Sequence, residues 1–265
     1  MKNSGVSRRK VLTVATSTAA VVTAASAWGP AALAAGRDPV GPDAGKKAAA
    51  FDYAAFEKER KKRLAQYEKD RKRVLTGVRS PNGWEMEKVA DAGGSVWTRP
   101  VAGTPLHGVA VRLGDVETVL VHVIRRFHYE ADTLREGDVI GWRRPGTVRK
   151  GMPEGNQASG TAVQIRPGHY PDGASGGLFP DQRLVIRDIL AELDGVVRWG
   201  GDDEVPHEAL FYLDVPPDDG GLARVAARLR RWRATPGKGA GAPVDVLEGS
   251  RRKEAKTLER HQRAS

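Results

Sequence analysis

Charge is spread so unevenly along these 265 residues that only the middle of the chain has the composition of a folded core. Residues 36–77 carry 12 basic against 7 acidic side chains, residues 78–233 carry 20 against 22, and residues 234–265 carry 7 against 4. Charged side chains are seldom buried without partners, so the flanks are suited to water and the near-neutral middle to collapse. Six Trp, five Tyr and five Phe are enough for one core and leave little for a second. The expected organisation is a leader over 1–35, a linker over 36–47, a charged helix over 48–76, one domain over 80–233 and a disordered basic tail over 234–265 with at most a short helix near 250–262.

The formal charge of +10 does not make this a nucleic-acid binder, because the excess lies in the flanks and no helix-turn-helix or zinc-finger spacing accompanies it. The absence of cysteine excludes disulfides, thiolate metal sites and a cysteine nucleophile. Ser7, Arg8, Arg9, Lys10, Val11 and Leu12 open an Ala- and Val-rich run to Ala27 that is diluted by Thr13, Thr16, Ser17, Thr18, Thr23 and Ser26. That pattern reads as a twin-arginine signal peptide, cleaved near Ala27 or Ala34, rather than a membrane anchor. The expected location is extracellular or wall-associated, with no transmembrane anchor after cleavage.

From Ala48 to Val74 there is neither Pro nor Gly, and Phe51, Ala55, Leu64 and Tyr67 interrupt a dense charged surface. Opposite charges three or four residues apart are sufficient to support a solvated helix there. The same basic arm is suited to anionic wall polymer or lipid headgroups. In the middle, strand-like pieces at Trp84–Val89, Ser95–Val101, Val109–Leu113, Ser159–Ile165, Val196–Trp199 and Leu210–Val215 are mixed with helical stripes over Val116–Glu130, Asp181–Leu193 and Asp219–Trp232. Asp181 and Asp218 or Asp219 are the expected helix caps. No regular strand–helix–strand repeat appears, so the fold class is α+β, with a small mixed sheet packed by helices.

Two segments carry chemistry. The first is Asn156-Gln157-Ala158-Ser159-Gly160-Thr161-Ala162-Val163-Gln164; the second is Trp199-Gly200-Gly201-Asp202, followed by Pro206-His207-Glu208-Ala209-Leu210-Phe211-Tyr212-Leu213. Together they resemble the D-alanyl-D-alanine carboxypeptidase-like zinc peptidases, whose blocks read N-H-x-S-G-x-A-x-D and W-G-G-D, then D-x-M-H-F-E. The resemblance spans Trp84 to Val215 and implies that family's fold, with Arg144 of Trp142-Arg143-Arg144-Pro145 where an arginine positions substrate.

The departures from that pattern fall on the chemistry. Gln157, Gln164 and Leu210 stand where the family has its three metal ligands, and His207 stands in place of the acid/base. A catalytic zinc needs three basic ligands and an open fourth position; leucine offers no lone pair, and neutral amides are poor substitutes for imidazole and carboxylate. The cofactor expectation is therefore none, although the family would call for zinc. The six histidines include no H-x-x-x-H pair, which leaves only a site rebuilt from His169, His207 and Glu208 as a metal alternative. Ser159 lies outside a nucleophile elbow and reads as structural.

The leading expectation is an exported, non-catalytic relative that binds a peptidoglycan stem peptide or another envelope component through Arg144, Gln157, Ser159, Gln164, Asp202, His207 and Glu208. The alternatives are an active wall peptidase with a rebuilt metal site and a structural envelope protein acting through its basic helix.

Overall fold

A computed structural model describes residues 52–264. The expected leader, the linker and the start of the charged helix at Ala48 lie outside them. The described residues belong to one compact unit that begins at Asp52.

Helix α1 (Tyr53–Val74) is capped by Asp52, whose carboxylate accepts from the Ala55 amide, and it closes on Arg71, Lys72 and Arg73, where cations suit the negative end of the helix dipole. Strand β1 (Leu75–Arg79) follows directly and pairs antiparallel with β2 (Glu85–Glu87). Ser80 and Asn82 shape the turn between them. A second antiparallel pair joins β3 (Val96–Arg99) to β4 (Val109–Arg112).

The largest sheet has four strands in the order β5 (Val139–Ile140), β6 (Ala162–Ile165), β8 (Leu210–Leu213) and β7 (Val197–Trp199). Every pairing in it is antiparallel, so the expected mixed sheet is corrected to an antiparallel one. Alternation along the strands gives it two faces. Val163, Ile165, Val197, Trp199, Phe211 and Leu213 point into the main core, while Ala162, Leu210 and Tyr212 form a small separate cluster on the other side.

The core face is covered by α2 (Asp115–Arg126), α3 (Pro180–Glu192) and α4 (Gly220–Arg233). Helix α2 buries Val119, Leu120, Val123 and Ile124 and continues into a π-helical turn, Phe127–Ala131, which sets Phe127 edge-on to Phe211 with centroids 6.3 Å apart. Asp219 caps α4 as expected. Asp181 does not cap α3: Pro180 occupies the first helical position, and the Phe179 amide donates to the Gln182 side chain instead.

The tail, expected to be disordered with at most a short helix near 250–262, forms the 16-residue α5 (Gly249–Ala264), which packs on α3. Ala255 is buried, Leu258 packs against the core, and Gln262 Nε2 donates to the Val197 carbonyl. The contact is fixed by a largely buried ionic cluster. Arg126 pairs with Glu130, Asp188 and Glu192; Arg251 of α5 donates to both Asp188 oxygens at 2.7 and 2.6 Å and to Glu192 at 3.0 Å. His122 Nε2 lies 2.7 Å from Glu192. Burial raises the Glu192 carboxyl, but the His122 hydrogen bond, the Arg126 charge and Arg251 outweigh it and bring the group down to about 2. Helix α5 thus belongs to the same compact unit as the sheet.

Candidate functional site

The sheet face turned away from the core carries the first sequence block. Gln164 lies between Ile140 of β5 and Leu210 of β8 in the strand register, and the 3-10 segment Pro153–Ser159 packs over β6 and β8. Local polar chemistry holds that segment in place. Gly160 takes the left-handed conformation at φ +70°, and its amide donates to the Gln157 carbonyl. A Cβ at Gly160 would lie 2.7 Å from the Arg112 amide nitrogen, so the Ser-Gly pair is required by close backbone approach. Ser159 Oγ is buried and bonds the Asn156 carbonyl, Ser80 Oγ and Thr161 Oγ1. All three partners are protein groups, which tie the turn to Ser80.

The three positions that the resemblance aligns with metal ligands each have protein partners. Gln157 is fully buried, with Nε2 donating to the Gly141 and Ile140 carbonyls at 2.8 and 3.2 Å. Gln164 Nε2 lies 3.1 Å from His207 Nε2. Leu210 is buried in the apolar cluster beside them. Which of the two donates depends on the imidazole tautomer, and His207 Nδ1 faces Asp172 Oδ1 at 3.4 Å. Burial holds the His207 pKa below its ordinary value; Asp172 and Glu154 pull it up, and Arg149 and Arg143 push it down. A dication does not fit this set: two neutral amides, one tied to backbone carbonyls and one to an imidazole, stand with a hydrocarbon.

Beyond His207 the polar chain continues outward, because Asp172 pairs with Arg149 and Arg149 with Glu154. Arg143 donates to the Thr147 carbonyl, whereas Arg144 is exposed and its guanidinium makes no ion pair or hydrogen bond among the described residues. The structure thus joins Gln164 to His207 directly but does not join Arg144 to either.

The second block is bonded into the scaffold. Asp202 is gripped by both terminal nitrogens of Arg187 and by Arg263 of α5 at 3.0 Å, with its carboxylate wholly out of solvent. Arg187 also lies over the Trp199 ring at 5.0 Å, and Trp199 Nε1 donates to the Glu208 carbonyl. Glu208 is buried, and its two oxygens accept the Gly176 and Gly177 amides at 2.8 Å each. In the structure Asp202 is bonded to arginines and Glu208 to backbone amides. His169 is exposed and bonded to Arg166, away from the imagined triad with His207 and Glu208. Among the described residues no three His, Cys, Asp or Glu side chains gather in a form that could hold a metal.

A cavity of about 510 Å³, lined by Asn82, Gly151, Pro153, Asn156, Tyr212 and Asp214 among others, adjoins this sheet face. Tyr212 donates to Asp203 at 2.8 Å. Burial raises the Asp203 carboxyl despite the Tyr212 hydrogen bond and the Arg198 charge. Tyr212 was legible as a neighbour of Leu210, two residues along one strand and therefore on one face. Nothing in the spacing of Arg149, Glu154 and Asp172 signals that they meet, because loops bring them together. No family model matches this chain, and no curated protein or solved structure matches it.

Proposed function

We propose that this protein is an exported, non-catalytic binding protein of the cell envelope, with the scaffold that its two sequence blocks resemble, and that its ligand is a peptidoglycan stem peptide. The observation that carries the reading is the contact between Gln164 and His207. The amide engages the imidazole at Nε2 in a buried setting, and the neighbouring Leu210 adds only hydrocarbon. Polar groups line the adjoining cavity, and Arg144 stands apart from it. Asn156 and Tyr212 line a cavity large enough for a short peptide, and the exposed Arg144 guanidinium is available to take a terminal carboxylate in two parallel hydrogen bonds.

The test uses the purified full chain, elemental analysis and an acyl-L-Lys-D-Ala-D-Ala peptide. The expected outcome is calorimetric binding without release of D-alanine, weakened at least tenfold by Arg144→Ala. One equivalent of retained zinc together with D-alanine release overturns the non-catalytic reading, and absence of binding overturns the ligand.

A further inference from the structure

The segment between Tyr170 and Leu178 crosses the second sequence block on polar contacts alone. Tyr170 and Leu178 are buried, whereas every residue from Pro171 to Gly177 is exposed. Apart from Pro171, Asp172, Ala174 and Ser175 the exposed stretch is glycine, so no large apolar side chain holds it down. Its tethers fall on three consecutive residues. The Gly173 amide donates to the Pro206 carbonyl at 2.8 Å, Asp172 Oδ1 lies 3.4 Å from His207 Nδ1, and the Gly176 and Gly177 amides donate to the two Glu208 oxygens. The segment therefore runs along Pro206, His207 and Glu208, and the last two are only 7 and 5% exposed beneath it. Glycine is required for this approach. Gly173 and Gly176 take left-handed φ values of +79 and +84°, and a Cβ at Gly177 would stand 3.1 Å from Glu208 Oε2 and 3.0 Å from the Tyr170 ring.

We infer that residues 171–177 form a lid latched by Glu208, and that a ligand reaches the Gln164–His207 pair only when this lid lifts. The inference rests on the reading that this sheet face binds a ligand, and it adds how access is controlled. Two observations favour a lid over a fixed loop. Every tether is polar, so lifting the segment returns its amides and the Glu208 carboxylate to water, which satisfies them, and draws no apolar side chain of the segment out of the core. Beneath it, His207 Nδ1 is buried and makes no hydrogen bond among the described residues. The closed lid leaves that atom unsatisfied, and water or a ligand satisfies it once the lid is open. The buried Tyr170 and Leu178 are the fixed ends about which the segment swings.

The test uses the full chain and three readings: amide hydrogen exchange, carbethoxylation of His207 followed by peptide mass spectrometry, and the association rate of an acyl-L-Lys-D-Ala-D-Ala peptide. Glu208→Gln replaces one of the two acceptor oxygens with a donor, and Asp172→Asn removes the charge that meets Arg149. In each variant, exchange at Gly176 and Gly177 is expected to rise at least about tenfold more than in β6 and β8. Carbethoxylation of His207 and association of the peptide rise by the same factor, because all three follow the fraction of open lid. His107, whose side chain is 88% exposed, labels at the parent rate throughout. The inference is overturned if exchange and labelling keep their parent values in both variants, or if exchange rises without faster labelling of His207. It is equally overturned if His207 labels faster while the peptide associates no faster. A peptide that binds neither parent nor variants overturns the stem-peptide reading instead, and labelling of His207 then decides the lid. Should Glu208→Gln fail to fold, Asp172→Asn, at a side chain 40% exposed, carries the same three readings.

Discussion

Replacing Glu192 with Gln tests whether the ionic cluster beneath α5 stabilises the fold through its charge. The Glu192 carboxyl sits at about 2 against a reference of 4.5, which corresponds to about 3.4 kcal/mol at neutral pH. Because Arg126, Arg251 and His122 share that interaction, about 2 to 3 kcal/mol is the loss expected for the amide variant. A group whose folded-state pKa is depressed contributes fully above its unfolded pKa, and the contribution fades as pH falls toward the folded value. The window is therefore pH 4.5 down to 2. At pH 3 roughly 2 kcal/mol of the difference between parent and variant has gone. Urea unfolding followed by tryptophan fluorescence at pH 7 and pH 3 measures both numbers. A variant that costs under about 0.5 kcal/mol at pH 7, or whose cost is the same at both pH values, refutes charge-based stabilisation of this contact.

Gly160→Ala places a Cβ 2.7 Å from the Arg112 amide in a left-handed backbone, and a loss of about 2 to 4 kcal/mol in denaturant unfolding is expected; a neutral result shows that the Ser-Gly turn is not under this constraint. Deleting residues 249–265 removes Arg251 and Arg263 from Asp188 and Asp202, and should cost more than about 3 kcal/mol. The same deletion should speed hydrogen exchange at Asp203 and His207, whose amides donate to the Gly200 carbonyl in the turn that Asp202 closes. Unchanged exchange there means that α5 does not steady the His207 loop.

What the sequence determined by itself is local. Hydrophobic periodicity placed β4, β8, α2 and α4 within a few residues of where they lie, because strand alternation and helical stripes are written in adjacent residues. Ser159 was legible as structural, but the strand read from Ser159 begins only at Ala162, after the 3-10 segment Pro153–Ser159. Asp181 misled because a cap residue competes with proline for the same turn, and Pro180 fixes where α3 begins. In the tail a short helix near 250–262 was legible, but its packing was not. Its charges describe a solvated segment until Asp188, Glu192 and Asp202, from other parts of the chain, supply the carboxylates that Arg251 and Arg263 meet.

Only tertiary structure decided that Asp202 is bonded to arginines and Glu208 to backbone amides, that Arg144 stands apart, and that Gln164 touches His207. Residue type lists what a side chain is able to do. Which of those partners it takes depends on long-range pairing of strands and loops, where contacts many residues apart compete for each hydrogen bond and charge.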